Sequence, residues 1–377
     1  MSPSPHRPPI RRARRLVGAT IAGSLGLVAA ACAGDDDEAA DTTTEETAVE
    51  TTEEETTTTS STTTSTTTST TLPPTTTTEV VIPRMPLTGE VLGEGQSPPD
   101  RPALVVKIDN NPRARPQSGL NEADVVFEEV VEYGTRFAAV FHSRNANPVG
   151  PIRSGRTQDI DLLSGLHQPL FAWSGGNPNV TRAIADSDFI DLNPANYGHV
   201  YRRMGNNGRP HNFYSTTDEL FAQATPADVG RPTPLFSYLS PGEVPAGGPG
   251  VRAEFNMDAN HVLWEFDPAF GGYRRSTDGR QHFDELSNTQ LSTTNVVIME
   301  TPYRPSIADA RSPEAVTIGG GRAWVLSGGV LREGTWMRMA REDGFALFDP
   351  NGLVIELLPG RTWVELFDPV DGTPGIA

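Results

Sequence analysis

Residues 103–142 read ALVVKIDNNPRARPQSGLNEADVVFEEVVEYGTRFAAVFH. Ala103 to Asp109 is a short apolar run bounded by turn residues, the pattern of a buried strand. Asp124 to His142 holds two β-branched and aromatic runs around Tyr133-Gly134, which predicts a hairpin, although the first arm also fits a helix. As a strand, that arm would carry Asp124, Glu128 and Glu132 on one face, and Glu129 on the other with Phe127 and Tyr133. As a helix it would still make Glu128 and Glu132 neighbours.

Gln168 to Trp173 reads as a further strand, ending at Ser174-Gly175-Gly176. Val180–Ala185 and Thr217–Ala224 have helical spacing, with Ser215, Thr216 or Thr217 placed to cap the second. Strands alternating with helices predict an α/β or α+β domain over residues 81–245. About 297 residues follow position 80, more than one core usually supports, so two domains are expected. The proline-rich stretch Pro226–Pro249 marks their boundary, near residue 245. Residues 246–377 predict a mainly-β domain. His261–Phe266, Asn295–Met299, Arg322–Leu326, Thr335–Met339, Phe345–Phe348 and Arg361–Leu366 are short strand-like runs separated by glycine turns. Their spacing fits a sandwich or a barrel, with Trp264, Trp324, Trp336 and Trp363 in its core.

The chain begins differently. Arg7, Arg11, Arg12, Arg14 and Arg15 form a basic head, and Leu16 to Ala31 carry no charge. The run closes on Val28-Ala-Ala-Ala-Cys32, so residues 1–32 have the parts of a secretion signal. Cys32 is the single cysteine in the chain, which excludes an intrachain disulfide or a zinc–cysteine cluster. A cysteine at the cut resembles a bacterial lipobox, where the thiol takes a diacylglyceryl group and becomes the mature N-terminus. Ala29 stands where such signals usually carry Leu, and an ordinary signal peptide is the plainer alternative. Residues 33–80 predict a disordered tether. Between Thr42 and Thr78, 22 of 37 residues are Thr, leaving nothing to build a core.

The chain carries a net charge of −18. Five arginines in 1–32 and twelve acids in 33–80 leave −11 on residues 81–377. That balance argues against nucleic acid or an anionic membrane surface as the main partner.

Polar chemistry concentrates in Asp109–Asp161. The candidate ligand-binding residues there are Asp109, Asn110, Arg115, Gln117, Glu128, Glu132, Arg136, Arg153, Arg156 and Asp159. His211 and Asn212 join them from the stretch Arg209–Tyr214. Asp109 ends a strand, where ligand sites gather in α/β folds, and guanidinium forks suit carboxylates and phosphates. The plainer alternative is that Arg136, Arg153 and Arg156 pair with Glu128, Glu132 and Asp159. His282 and Asp284 alternate on one run, but two ligands do not make a metal site. No metal, cofactor or catalytic set is expected, because no His-Glu-x-x-His, P-loop or Gly-x-Ser-x-Gly pattern is present.

From Pro86 to about Phe367 the chain resembles the YerB-like bacterial lipoproteins, a group of unknown function. The matching stretches include Pro86-Leu-Thr-Gly, Ile108-Asp-Asn, Ala114-Arg-Pro-Gln-Ser-Gly-Leu, Ala123-Asp-Val-Val-Phe-Glu, Thr135-Arg-Phe, Gly150-Pro-Ile-Arg-Ser, Pro210-His-Asn and Gly360-Arg-Thr-Trp. The resemblance implies two linked domains and a lipoprotein of the cell envelope, and it supplies no catalytic residues.

Three functions are therefore carried forward. The first is a membrane-anchored, extracytoplasmic binding or scaffolding lipoprotein for peptidoglycan, a wall polymer or an envelope protein, held to the membrane by lipid on Cys32. The second is a wall glycan hydrolase using Glu128 or Glu132 with His211. The third is a regulator or assembly factor of another envelope enzyme.

Overall fold

The computed structural model describes residues 82–225 and 230–377. The signal expected at 1–32, with the lipid on Cys32, and the tether expected at 33–80 lie outside the described residues.

Strand β1, Leu104–Asp109, is buried at every position. Leu104, Val106 and Ile108 feed one core, and Val105 feeds another. An apolar run without polar alternation is what burial on both faces demands. The hairpin consists of β2, Val125–Val131, and β3, Gly134–Phe141, so the first arm is a strand and not a helix. Val131 pairs with Gly134, leaving Glu132 and Tyr133 as the turn. Gly134 closes it at φ +99°, a backbone region that strains any side chain. β1 pairs antiparallel with β3 and parallel with β4, Leu170–Ala172. β5, Ile190–Asp191, extends that edge.

Helices α1, Gln158–Leu163, and α2, Pro178–Ala185, pack Leu162, Leu163, Val180 and Ile184 on one face of these strands. Asn177 caps α2 by accepting from the backbone N–H groups of Asn179 and Val180. A further short helix, Thr217–Phe221, is capped by Thr216.

Residues 250–377 are mostly strands: β6 Arg252–Met257, β7 Asn260–Asp267, β8 Gly272–Thr277, β9 Asn295–Glu300, β10 Gly319–Ser327, β11 Val330–Arg338, β12 Ala346–Phe348 and β13 Thr362–Phe367. The mixed α/β character of the first part and the mainly-β character of the second match the sequence reading. The spacing argument did not find β6 or β8. β6 does alternate, with Ala253, Phe255 and Met257 inward, but Arg252, Glu254 and Asn256 between them dilute the apolar signal. β8 offers only Tyr273 as a large apolar residue.

Strands of both parts share one eleven-stranded sheet, ordered β12-β11-β10-β9-β13-β2-β3-β1-β4-β5, with Gly248–Pro249 paired to β11. The seam is β13, which lies parallel to β2 on one side and to β9 on the other. A six-stranded sheet built on β6, β7 and β8 covers the face opposite the helices. Its Phe255, Val262, Trp264 and Tyr273 share a core with Val126, Ile298, Trp363 and Phe367.

Because β13 joins strands from both parts, the full-length chain is expected to unfold in one urea transition, with coincident tryptophan-fluorescence and far-UV CD midpoints. Trp363→Ala should cost about 3–5 kcal/mol in the same measurement. Two separated transitions would show that the parts hold independent cores.

Candidate functional site

Register decides where the charges go. Asp109 of β1 lies opposite Arg136 of β3, which lies opposite Glu129 of β2. Residues directly opposite across a pair share a face, so these three side chains, with Lys107, point to the helix side. Glu128 and Thr135 point the other way, toward the six-stranded sheet.

On the sheet-facing side the polar groups form a buried network in which Glu365 Oε2 lacks a partner. Arg275 donates to Glu128 Oε2 at 2.6 Å and to Glu365 Oε1 at 2.7 Å. All three side chains are fully buried. The guanidinium lies among the rings of Trp363, Trp264 and Phe137. Trp264 Nε1 adds a 2.8 Å bond to Glu365 Oε1. Glu128 Oε1 accepts from Thr135 at 2.5 Å and from Asn110 Nδ2 at 3.1 Å. Asn110 Oδ1 in turn accepts from Arg115 and Gln117. Arg115 also reaches Asp278 and Asn260, both at 2.8 Å. Gln117 Oε1 pairs with His282 Nε2 at 2.7 Å, and Thr277 takes His282 Nδ1. Burial, with Glu128 beside it, pushes Glu365 above the usual carboxylate range. Burial, with the Arg275 charge nearby, pushes His282 well below its ordinary value.

This network absorbs Asn110, Gln117 and Glu128 into the core, while Arg115 stays half-buried and lines a cavity of about 620 Å³ with Asp278, Arg280 and Phe283. It also settles His282 and Asp284: Asp284 accepts from the backbone N–H of Leu120 and of Ser287. No group of three or more metal-ligating side chains occurs among the described residues.

On the helix side the network is open. Lys107 Nζ bonds Glu129 and, at 2.7 Å, Asp159 Oδ1. Asp159 Oδ2 accepts from the Arg156 backbone N–H. Burial and the Asp159 charge raise Glu129, whose Oε2 has no partner. Arg156 pairs with Glu132 at 2.6 Å, and Ser312 donates to the other Glu132 oxygen. Asp109 Oδ2 takes both His211 Nδ1 at 2.7 Å and Arg153 Nε at 3.1 Å. Asn212 lies apart, accepting from Arg203.

Arg136 is the exception in this cluster. It is only 8% exposed. Its single bond is from Nη1 to the Ser154 carbonyl at 3.3 Å, and its buried Nε has no acceptor. No carboxylate among the described residues forms an ion pair with it. Burial and the charges of Arg156 and Arg153 push its pKa down to about 10. Past Ser154 lies a cavity of about 240 Å³ lined by Glu132, Ser154, Arg156, Gly176, Asn177, Val180, Asp309 and Ser312, so two carboxylates and one guanidinium face it.

The face rule therefore holds only within the strand. Glu129 does lie on the face of Phe127, as expected. Glu132 is in the turn and reaches Arg156, while Asp124, before the strand, accepts from the backbone N–H groups of His142 and Ser143. The three carboxylates do not share a site. Of the pairs expected for Arg136, Arg153 and Arg156, only Arg156–Glu132 forms; Asp159 goes to Lys107 and Glu128 to Arg275. Lys107 was legible as a lone charge inside an apolar run. Arg275 and Glu365 carried no such signal.

Two family models match the chain: the N-terminal domain of a protein of unknown function (DUF3048) over residues 87–229, and its C-terminal domain over residues 251–364. Together they cover more than half of the sequence. The chain belongs to the YerB-like family. One relative, named "Putative lipoprotein YerB", of Bacillus subtilis (strain 168), is 27% identical over 295 residues, covering 76% of this chain and 87% of that protein. The crystal structure of YerB protein from Bacillus subtilis superposes with a TM-score of 0.67 at 25% identity, covering 78% of this chain and 99% of that one. The family boundary falls in the same proline-rich stretch that separates the α/β part from the mainly-β part.

Removing Arg275 would strand the buried Glu128 and take a donor from Glu365, so Arg275→Met should destabilise by about 3–5 kcal/mol in urea unfolding. A loss under about 1 kcal/mol would show the triad to be dispensable. Glu129 and Glu365 are raised in the fold, so the native state holds protons that the unfolded chain releases. Stability should therefore fall as pH rises from about 5, above the ordinary carboxylate range. Glu365→Gln should flatten that slope in pH-dependent denaturation, and an unchanged slope would refute the assignment.

Proposed function

We propose that this chain is a lipid-anchored protein of the extracytoplasmic face of the cell membrane whose folded part binds an anionic component of the cell envelope. The anchor reading rests on Cys32 at the end of a signal-like run, together with the printed name of the Bacillus subtilis relative. The binding reading rests on one observation: Arg136 is buried, beside Arg153 and Arg156, with no carboxylate paired to it. A buried charge normally acquires a partner, and here Asp109 and Glu132 bond other groups while Glu129, opposite Arg136, bonds Lys107 and leaves one oxygen unpartnered.

The same geometry disfavours the glycan hydrolase. Glu128 is fully buried with both oxygens bonded, so it cannot meet a sugar. Glu132 is bonded on both oxygens, by Arg156 and Ser312. His211 is oriented by Asp109 and not by either glutamate.

The test is co-sedimentation of the full-length chain, in detergent, with purified peptidoglycan that retains its wall polymers. Arg153→Ala combined with Arg156→Ala, confirmed folded by CD, should bind at least tenfold more weakly, since each charged hydrogen bond contributes roughly 1.5–3 kcal/mol. Equal retention of both proteins, or none of the wild type, would overturn the reading.

A further inference from the structure

We infer that the cavity of about 620 Å³ between Pro112, Pro116 and the hairpin 277–283 takes an extended peptide segment of a partner protein, paired along the free edge at Gln281 with a carboxylate on Arg280. None of its lining residues belongs to the open helix face.

The sheet edge is the first observation. Arg280–Gln281 is the last strand at one end of the six-stranded sheet and pairs only with β8. Thr277 and Arg280 face each other across the two-residue turn Asp278-Gly279, and the His282 N–H bonds the Arg275 carbonyl at 3.1 Å. Hydrogen-bonded pairs alternate along an antiparallel ladder, so the N–H and C=O of Gln281, lying between those two pairs, point away from β8. Further along, the same edge is closed: Asp284 bridges Gln117 in parallel, and the Glu285 N–H bonds the Gln117 carbonyl at 2.7 Å. That pairing stops at Pro116, which has no N–H to donate. Before it, Arg115 turns its guanidinium to Asn110, Asn260 and Asp278. Gln281 is thus left on a cavity wall and not beside a strand.

The lining is the second observation. Pro112, Pro116 and Phe283 give apolar walls, and Phe283 is 40% exposed. The volume falls within the ~300–1,000 Å³ of small-ligand sites. Charge is the third. The charged residues lining the cavity are Arg115, Arg280 and Asp278. Asp278 is taken by Arg115 and by the His261 N–H. Arg280 is exposed and makes no hydrogen bond or ion pair among the described residues. One guanidinium is therefore left over after every carboxylate of the lining is counted.

These features fit one ligand chemistry. Main-chain pairing to a sheet edge gives affinity, and pockets for alternate side chains give specificity. An extended peptide would bond Gln281 through its main chain, rest an apolar side chain against Phe283 and the prolines, and set an acidic group on Arg280. The edge is held in shape beforehand, because His282, between Gln281 and Phe283, is bonded at both ring nitrogens, to Gln117 and Thr277. A charge on a short edge strand also serves in many proteins to deter pairing, and the two roles predict opposite effects of removing it.

The experiment is affinity selection by the full-length chain, in detergent, from a pooled library of random hexapeptides with free C-terminal carboxylates, read by mass spectrometry. The wild type should enrich peptides that carry an apolar residue near an acidic group, and fluorescence anisotropy of the best member should saturate. N-methylation of that member should weaken binding at alternate amides only, the signature of strand pairing. Arg280→Ala should weaken it about tenfold or more. Gln281→Pro removes an N–H that the ladder does not use, so the fold should survive by CD while binding is lost. If Gln281→Pro does not fold, Arg280→Ala and the N-methyl series decide. The inference falls if the library yields no saturable binder, or if N-methylation shows no alternation. It falls equally if Arg280→Ala binds as well as the wild type, and tighter binding would assign the arginine to guarding the edge.

Discussion

Arg275 is a guanidinium shut away from water between two carboxylates, and their positions depend on how β13 is seated. Glu128 of β2 and Glu365 of β13 lie side by side in the parallel pair, and Arg275 reaches both from the sheet above. Taking three ionisable groups out of water is costly, and only close, multiply bonded geometry offsets it. A one-residue slip of β13 would turn Glu365 to the helix face and leave Arg275 half paired. The triad therefore ties the seam between the two parts of the chain to a single register. It also explains why the polar groups around it are nearly all bonded, Glu365 Oε2 excepted. A half-satisfied buried network is worse than an apolar one, so Asn110, Thr135, Gln117 and His282 complete it.

From that seam the period of the strands sorts the rest of the polar chemistry. Successive residues of β1, β2 and β3 alternate between a closed face and an open one. Glu128 and Glu129 are adjacent in sequence, yet one meets Arg275 and the other Lys107. The closed face holds the large sheet and the smaller sheet together. The open face lies where β1 and β4 end in parallel, with the loops carrying Arg153, Arg156 and His211 gathered around Asp109. Ligand sites at the carboxyl ends of parallel strands have a topological cause: the chain must leave the sheet there, and its loops bring side chains from distant positions.

Local pattern made much of this legible. The buried β1, the hairpin about Tyr133-Gly134, α2, the helix capped by Thr216, and the tryptophan-bearing strands follow from runs and turns within a few residues. What could not be read was pairing at long range. Nothing in the composition near Arg275 announces that it will lie between residues 128 and 365. Nothing near Asp109 announces His211. The clustering of charges in 109–161 was visible, but clustering does not reveal parity once turns intervene. Asn110 and Arg136 therefore looked alike as candidates, although one is consumed by the core and the other is not. The shared sheet was hidden for the same reason, since a proline-rich boundary says where the chain changes character and not which strands it later pairs.

The contrast between Arg275 and Arg136 limits how the open face can be explained. Both are buried arginines on strands of one molecule, so the fold is able to supply carboxylates to a guanidinium. At Arg136 it supplies a backbone carbonyl, with Asp109 and Glu132 near enough to favour the charge but bonded to other groups, and Arg153 and Arg156 opposing it. Local arrangements that conflict with stability persist mainly where something other than stability retains them. The net charge of the folded part sharpens the point. Residues 81–377 carry −11, which repels anions in bulk, but that field is screened within about 8 Å at physiological salt. That field therefore provides no long-range steering of anions toward the open face. On the binding reading proposed above, selectivity at the open face would rest on contact geometry within the cleft.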